Sequence, residues 1–182
     1  MNQFENRSLY WVLAILVIII APIIVLLTPA ILSVIVFDDP NKIILITFGK
    51  NLIMYSIAFF LAFISLIILY FIKKLLTKIY IIILSILGFF SLYVLGLNYY
   101  VYFDENYIEY NPLFGSKVIY EWSELSYVSH INPNVDTKTD EKYIFTFKDG
   151  YSIEFEPTGA LDASAKSKIY NKIQLLNVPL EH

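Results

Sequence analysis

The sequence predicts an α-helical transmembrane region of three helices followed by a C-terminal α+β domain, and three observations carry that fold class. Of the 182 residues, 58% are hydrophobic, above the roughly half found in soluble domains. Three long runs are almost free of charge. Beyond Asn98 the hydrophobic period changes from helical to alternating, the mark of half-buried strands. Charge divides at the same place. Up to Leu97, Arg7, Lys42, Lys50, Lys73, Lys74 and Lys78 outweigh Glu5, Asp38 and Asp39 for about +3, and the remainder carries about −6.

A helix needs about 20 apolar residues to cross about 30 Å of hydrocarbon. The first candidate, residues 10–37, has no charged side chain and opens on Tyr10 and Trp11, which suit the interfacial aromatic belt. Its apolar core is too long for a cleavable signal peptide and no small-residue cleavage site follows, so it is expected to be retained. Pro22 and Pro29 each remove a backbone donor and predict a kink that serves packing. The second candidate, residues 52–72, admits an earlier start, because residues 43–48 are apolar and Asp39-Pro40 suits a helix beginning, with Lys50 snorkelling to the interface. The third, residues 79–97, follows after residues 73–78 alone, which predicts a tight antiparallel hairpin. Gly88 and Gly96, with Ser85 near the same face, predict close packing among the three spans.

No ionisable group lies at a span centre, which argues against a pump, an ion-coupled transporter or an intramembrane protease. Arg7, Lys73, Lys74 and Lys78 gather at one set of span ends, against Lys42 and Lys50 with Asp38 and Asp39 at the other. The positive-inside rule then predicts a multi-pass cell-membrane protein with a cytoplasmic N-terminus and the C-terminal domain outside.

In that domain, residues 98–182, the clearest element is a β-hairpin. Tyr143, Phe145 and Phe147 alternate before Asp149-Gly150, and Tyr151, Ile153 and Phe155 alternate after it, which predicts a type I′ turn. Residues 100–103, 107–110, 117–121 and 125–131 read as shorter strands, with turns at 104–106 and 111–116. Residues 132–141 are polar and read as a loop. Ala165, Ile169, Ile173 and Leu176 recur at helical spacing and predict an amphipathic helix over 162–177. Leu180-Glu181-His182 reads as a tag remnant or as native sequence.

The run Tyr102-Phe103-Asp104-Glu105-Asn106, continuing Tyr107-Ile108-Glu109-Tyr110 and reaching Tyr120-Glu121-Trp122-Ser123-Glu124-Leu125, resembles bacterial pleckstrin-homology-like (PH-like) domains attached to membrane helices. The likeness spans about residues 98–177. It implies a bent antiparallel sheet or partly open barrel capped by the C-terminal helix. Phosphoinositide binding, which needs clustered Lys and Arg, is disfavoured: the first turn is Asp104-Glu105-Asn106, and seven lysines are dispersed among more numerous acids.

The chemistry carried by cysteine is excluded, since the chain has none. A glycine-rich phosphate loop is absent and the acidic domain suits no nucleic acid. His130 lacks a metal-ligand or nucleophile set, and no cofactor is expected. Glu121, Glu124, Glu154 and Glu156 are acids without a motif, and Glu154 and Glu156 share a solvated strand face. The sequon Asn6-Arg7-Ser8 lies at the predicted inner membrane side and is read as chance. The expected function is a non-enzymatic membrane protein presenting a PH-like module to an unknown protein or peptide partner, with Tyr120, Trp122 and Thr137 of the 132–141 loop as interaction residues. The alternative is an accessory or regulatory subunit of a transporter or export complex. A third reading, a hydrolase, requires an acidic or Ser-containing pocket in the β-domain, and clustering of Glu121, Glu124 and His130 in one concave site would favour it.

Overall fold

A computed structural model describes residues 5–47, 49–132, 141–157 and 161–181. In chain order the elements are α1 (Glu5–Ile35), β1 (Lys42–Thr47), α2 (Gly49–Phe71), α3 (Leu75–Leu97), β2 (Tyr100–Asp104), β3 (Tyr107–Asn111), β4 (Val118–Glu121), a 3₁₀ turn (Trp122–Glu124), β5 (Leu125–Ile131), β6 (Lys142–Phe147), β7 (Ser152–Phe155), α4 (Ala163–Leu175) and β8 (Leu180–Glu181). They form two compact units, one of Met1–Leu32 with Gly49–Asn98 and one of Ser33–Phe48 with Tyr99–His182. The chain therefore changes unit three times, where the sequence predicts one boundary near Asn98.

α1, α2 and α3 are each long and apolar enough to cross a membrane. All three begin before the expected residues 10, 52 and 79, and α1 stops at Ile35, two residues short of the expected end. Phe37 has left the helix and packs its ring 4.8 Å from Tyr100 and 5.1 Å from Tyr102. The helical assignment of α1 continues through Pro22 and Pro29. Many apolar side chains point outward, such as Leu26, Leu84 and Phe90. In hydrocarbon that exposure carries no penalty, because lipid tails are as apolar as the side chains.

Within this unit α2 and α3 pack as the predicted hairpin, and the two glycines of α3 sit in the interface. A Cβ at Gly88 would lie 2.6 Å from Leu61 Cδ2, and one at Gly96 would overlap the ring of Tyr55. Beside Gly96 the three helices are knotted by polar groups. Asn51, fully buried, donates Nδ2–H to the Gly96 carbonyl at 2.7 Å. Tyr55 and Tyr93 approach to 4.8 Å between ring centroids, and Thr28 of α1 shares a 2.5 Å hydrogen bond with the Tyr93 hydroxyl. At the opposite end of the bundle Trp11 meets Tyr70 edge-on and the Lys78 ammonium lies 4.8 Å from the Tyr10 ring centroid.

The second unit holds two four-stranded sheets, ordered β1-β2-β3-β4 and β7-β6-β5-β8, and α4. All neighbours are antiparallel except β5 and β8. β1 corrects the reading of residues 43–48 as the lead-in to a helix. Its six residues are too few to span a bilayer, and Leu45 and Ile46 pair with Tyr102 and Val101 of β2. Ile44 and Ile46 enter the core beside Val101, Phe103 and Ile108. Lys42 turns back from β1 to Ser33, bonding its carbonyl at 2.6 Å and its hydroxyl at 2.7 Å, so a cation satisfies the carboxyl end of α1.

Phe103 is the centre of this core. Its ring lies 5.5 Å from Phe145, 5.5 Å from Phe155 and 5.9 Å from Trp122, which ties the first sheet to the second. α4 adds Ala165, Ile169 and Ile173, while Leu176, expected on the same stripe, is 41% exposed. Leu176 has reached the C-cap: Val178 N–H bonds to Ile173 and Asn177 N–H to Gln174, with Asn177 at φ 52°. Asp162 caps the other end, accepting from Ala165 N–H at 2.7 Å. The β6–β7 turn also departs from the expected type I′. Phe147 pairs with Tyr151 around three residues and only Gly150 has a positive φ, 88°, the arrangement of a type I turn closed by a glycine.

Gly96→Val should lower the unfolding midpoint of the micelle-solubilised protein, at a cost of about 1–3 kcal/mol from overpacking against Tyr55. Gly49→Ala, where a new Cβ meets nothing within 4 Å, should leave it unchanged or raised. Equal midpoints for the Gly96→Val variant and the parent would show that the helices do not meet at this point.

Candidate functional site

The chain stretch singled out in the sequence carries two aromatic residues with different roles. Trp122 opens the 3₁₀ turn after β4, is 4% exposed and donates Nε1–H to the Asp104 carbonyl at 2.8 Å. It is a core residue more than a free interaction residue, and it reaches the surface only at the floor of a groove. Tyr120 also faces inward from β4. It stacks 3.9 Å from Phe147 and donates its hydroxyl to Asp149 Oδ2 at 2.8 Å, clasping β4 to the β6–β7 turn. Burial, then the hydrogen bond and charge of Asp149, push its phenol up to about 12. Thr137 lies outside the described residues.

The acids resolve into local work. Glu121 and Glu124 form a reciprocal capping box on the 3₁₀ turn, with Glu121 N–H bonded to Glu124 Oε2 at 2.7 Å. Glu154 is exposed and pairs with Lys142 at 2.8 Å, and Glu156 is exposed. Asp104, 1% exposed, closes the β2–β3 turn on itself. Its Oδ1 accepts from Asn106 N–H at 2.9 Å and from Asn106 Nδ2 at 3.2 Å, and its Oδ2 meets no donor among the described residues.

His130 stands apart from Glu121 and Glu124, in a cluster the sequence reading did not find. Its ring stacks 4.3 Å from Tyr143, and its Nε2 lies 3.0 Å from Glu141 Oε1. The same oxygen accepts from Tyr143 Oη at 3.1 Å and faces Lys166 Nζ at 3.5 Å. Burial pushes the Glu141 carboxyl up, but the hydrogen bonds of His130 and Tyr143 and the charge and bond of Lys166 outweigh it, so it sits below its usual value. Burial first, then Tyr170 and Glu141, raise the Tyr143 phenol. The cluster draws α4, through Lys166, onto the edge of β5 and β6. The void between that sheet and α4 measures about 10 Å³, at or below the space of one water. Glu121 and Glu124 sit in the capping box of the 3₁₀ turn and His130 in the Glu141 cluster, so the structure does not gather these three residues at one place.

Among the described residues, no group of three or more His, Cys, Asp or Glu stands ready to hold a metal ion. A concave feature of this unit is an open groove. Glu105 and Asn106 of the β2–β3 turn, Tyr107 of β3, Ile119 and Glu121 of β4, Leu175 of α4 and its C-cap Leu176 line it, together with Trp122 and Lys172. No residue spacing advertises it, because three separate elements supply its lining. Compared with protein-family models, with curated proteins and with solved structures, the chain matches none.

The Glu141 carboxyl has a lowered folded value, so its stabilising contribution is present above the unfolded value of 4.5 and is lost as pH falls through the folded value. Glu141→Gln should therefore flatten the acid limb of the stability–pH profile below pH 4.5. An acid limb identical in variant and parent would contradict the tether.

Proposed function

We propose that this is a non-enzymatic, multi-pass membrane protein whose helices carry a PH-like module for a protein or peptide partner. The observation that carries the reading is the pairing of β1 with β2 across the whole α2–α3 hairpin. The module is thus threaded by the membrane segment rather than hung from its end by a linker. Paired strands lie on one side of any bilayer, so α2 and α3 cross together. That supports a multi-pass arrangement with residues 42–47 and the C-terminal strands on the same side. The two sheets closed by α4 support the bent sheet or partly open barrel that the resemblance to PH-like domains implies.

Recognition of a protein or peptide, and not of a phosphoinositide, is supported by the state of the lysines. Lys117, Lys142, Lys166 and Lys172 are paired with Glu109, Glu154, Glu141 and Glu105. Such neutralised cations do not assemble the positive cluster a phosphorylated headgroup needs. The accessory-subunit reading has one observation in its favour. Two apolar clefts flank Val17 and Phe59 of the helical unit, one lined by α1 and α2 and the other by all three helices, and these suit a helix of a larger membrane complex.

Placement of the module outside is supported by Arg7, Lys73, Lys74 and Lys78 at the opposite set of span ends. A Thr137→Cys variant of the cysteine-free chain should react with a membrane-impermeant thiol reagent in intact cells. Reaction only after permeabilisation would place the module in the cytoplasm and overturn the proposed orientation.

A further inference from the structure

We infer that the groove between β4, the β2–β3 turn and the carboxyl end of α4 is the docking site of the module, and that its occupant is an extended peptide segment alternating basic and apolar side chains. The inference rests on the binding-module reading and names the partner chemistry for it.

Three exposed aliphatic side chains converge there: Ile119 is 54% exposed, Leu175 78% and Leu176 41%. Leucines at the end of an otherwise polar helix are not needed for its packing, since Ala165, Ile169 and Ile173 already form its buried stripe. Solvent-facing apolar groups gathered on one concave surface with a polar rim are the composition of a partner site. The rim fixes the sign of the partner. Lys172 is spent on Glu105, at 2.9 Å from its carboxylate and 2.7 Å from its carbonyl. Glu121 faces no cation among the described ion pairs and accepts only from the Ser123 hydroxyl and the turn backbone. The groove is therefore net acidic, in a domain whose overall charge is also negative, and it attracts a cationic segment while repelling an anionic bilayer surface.

The extended form follows from the edge. In the first sheet β4 pairs with β3 alone. Glu121 N–H points away from β3, because it is bonded to Glu124 Oε2, and two residues earlier Ile119 presents its N–H and carbonyl on the same outward side. Glu121 N–H is already taken by the capping box, but no described residue bonds the Ile119 N–H and carbonyl. An extended segment can pair with them while its alternate side chains reach Ile119, Leu175 and Leu176.

The test uses the full chain in phosphatidylcholine nanodiscs with Trp11→Phe, which leaves Trp122 at the groove floor as the sole tryptophan. The probe is a blocked octapeptide alternating Lys and Val, with a Glu–Val octapeptide as its counterpart. The Lys–Val peptide should bind saturably and shift Trp122 emission, and its Kd should rise tenfold or more in both Ile119→Asp and Leu175→Asp. Both positions are exposed, so the variants should keep the parent melting midpoint. Equal affinity for parent and variants overturns the groove, equal affinity of the Glu–Val peptide overturns the charge argument, and equal uptake by empty discs overturns the peptide occupant in favour of the bilayer. A partner cross-linked in cells only when residues 99–182 are present, yet equally by Ile119→Asp, would leave the module reading intact and sink the groove alone.

Discussion

β1 and β2 are neighbours in a sheet but are separated in the chain by two membrane-length helices, and most of the architecture depends on that pairing. Thr47 and Tyr100 stand opposite each other in the ladder, with α2, its turn and α3 looping out between them. Ile44 and Ile46 complete the core face beside Val101 and Phe103, where each buried side chain contributes about 1.5–3 kcal/mol relative to exposure. Without β1, the backbone of β2 would become an unpaired edge and the core would lose one wall.

For helices of this length and apolarity in a bilayer, the hydrophobic effect would supply little association energy, since lipid and side chains are alike in polarity. Close backbone approach and hydrogen bonds therefore do the work. Gly96 allows the Tyr55 ring against α3, and Asn51 bonds the Gly96 carbonyl in a fully buried site. Thr28 joins α1 to Tyr93, so the polar knot links all three helices. Apart from Thr28 of α1, its members lie in the first turns of α2 and the last turns of α3.

The helices and most strands were legible because their signals are local. Long uncharged runs mark α1 to α3, and the alternation in Tyr143, Phe145 and Phe147 marks β6. β1 was hidden because both of its faces are buried, at Ile44 and Ile46 on one side and Leu45 on the other, so it shows no alternation and reads as a continuous apolar run. Asp149-Gly150 marked the hairpin correctly but not the turn, since Phe147 pairs with Tyr151 around an additional residue. The candidate site was the least legible part. Trp122 looks like an exposed anchor until its indole is seen bonded to Asp104, and the Glu141 cluster and the groove draw on elements far apart in sequence.

The most direct measurement is disulfide trapping in the otherwise cysteine-free chain. Paired cysteines at Leu45 and Tyr102, or at Ile46 and Val101, sample the two alternating positions of the β1–β2 ladder. After mild oxidation in native membranes, counting free thiols with a polyethylene glycol maleimide should show an intramolecular bond in at least one pair. Leu45→Cys combined with Ile108→Cys, which are not partners, should stay reduced. Free thiols in both ladder pairs would contradict the account and return residues 42–47 to the helical hairpin.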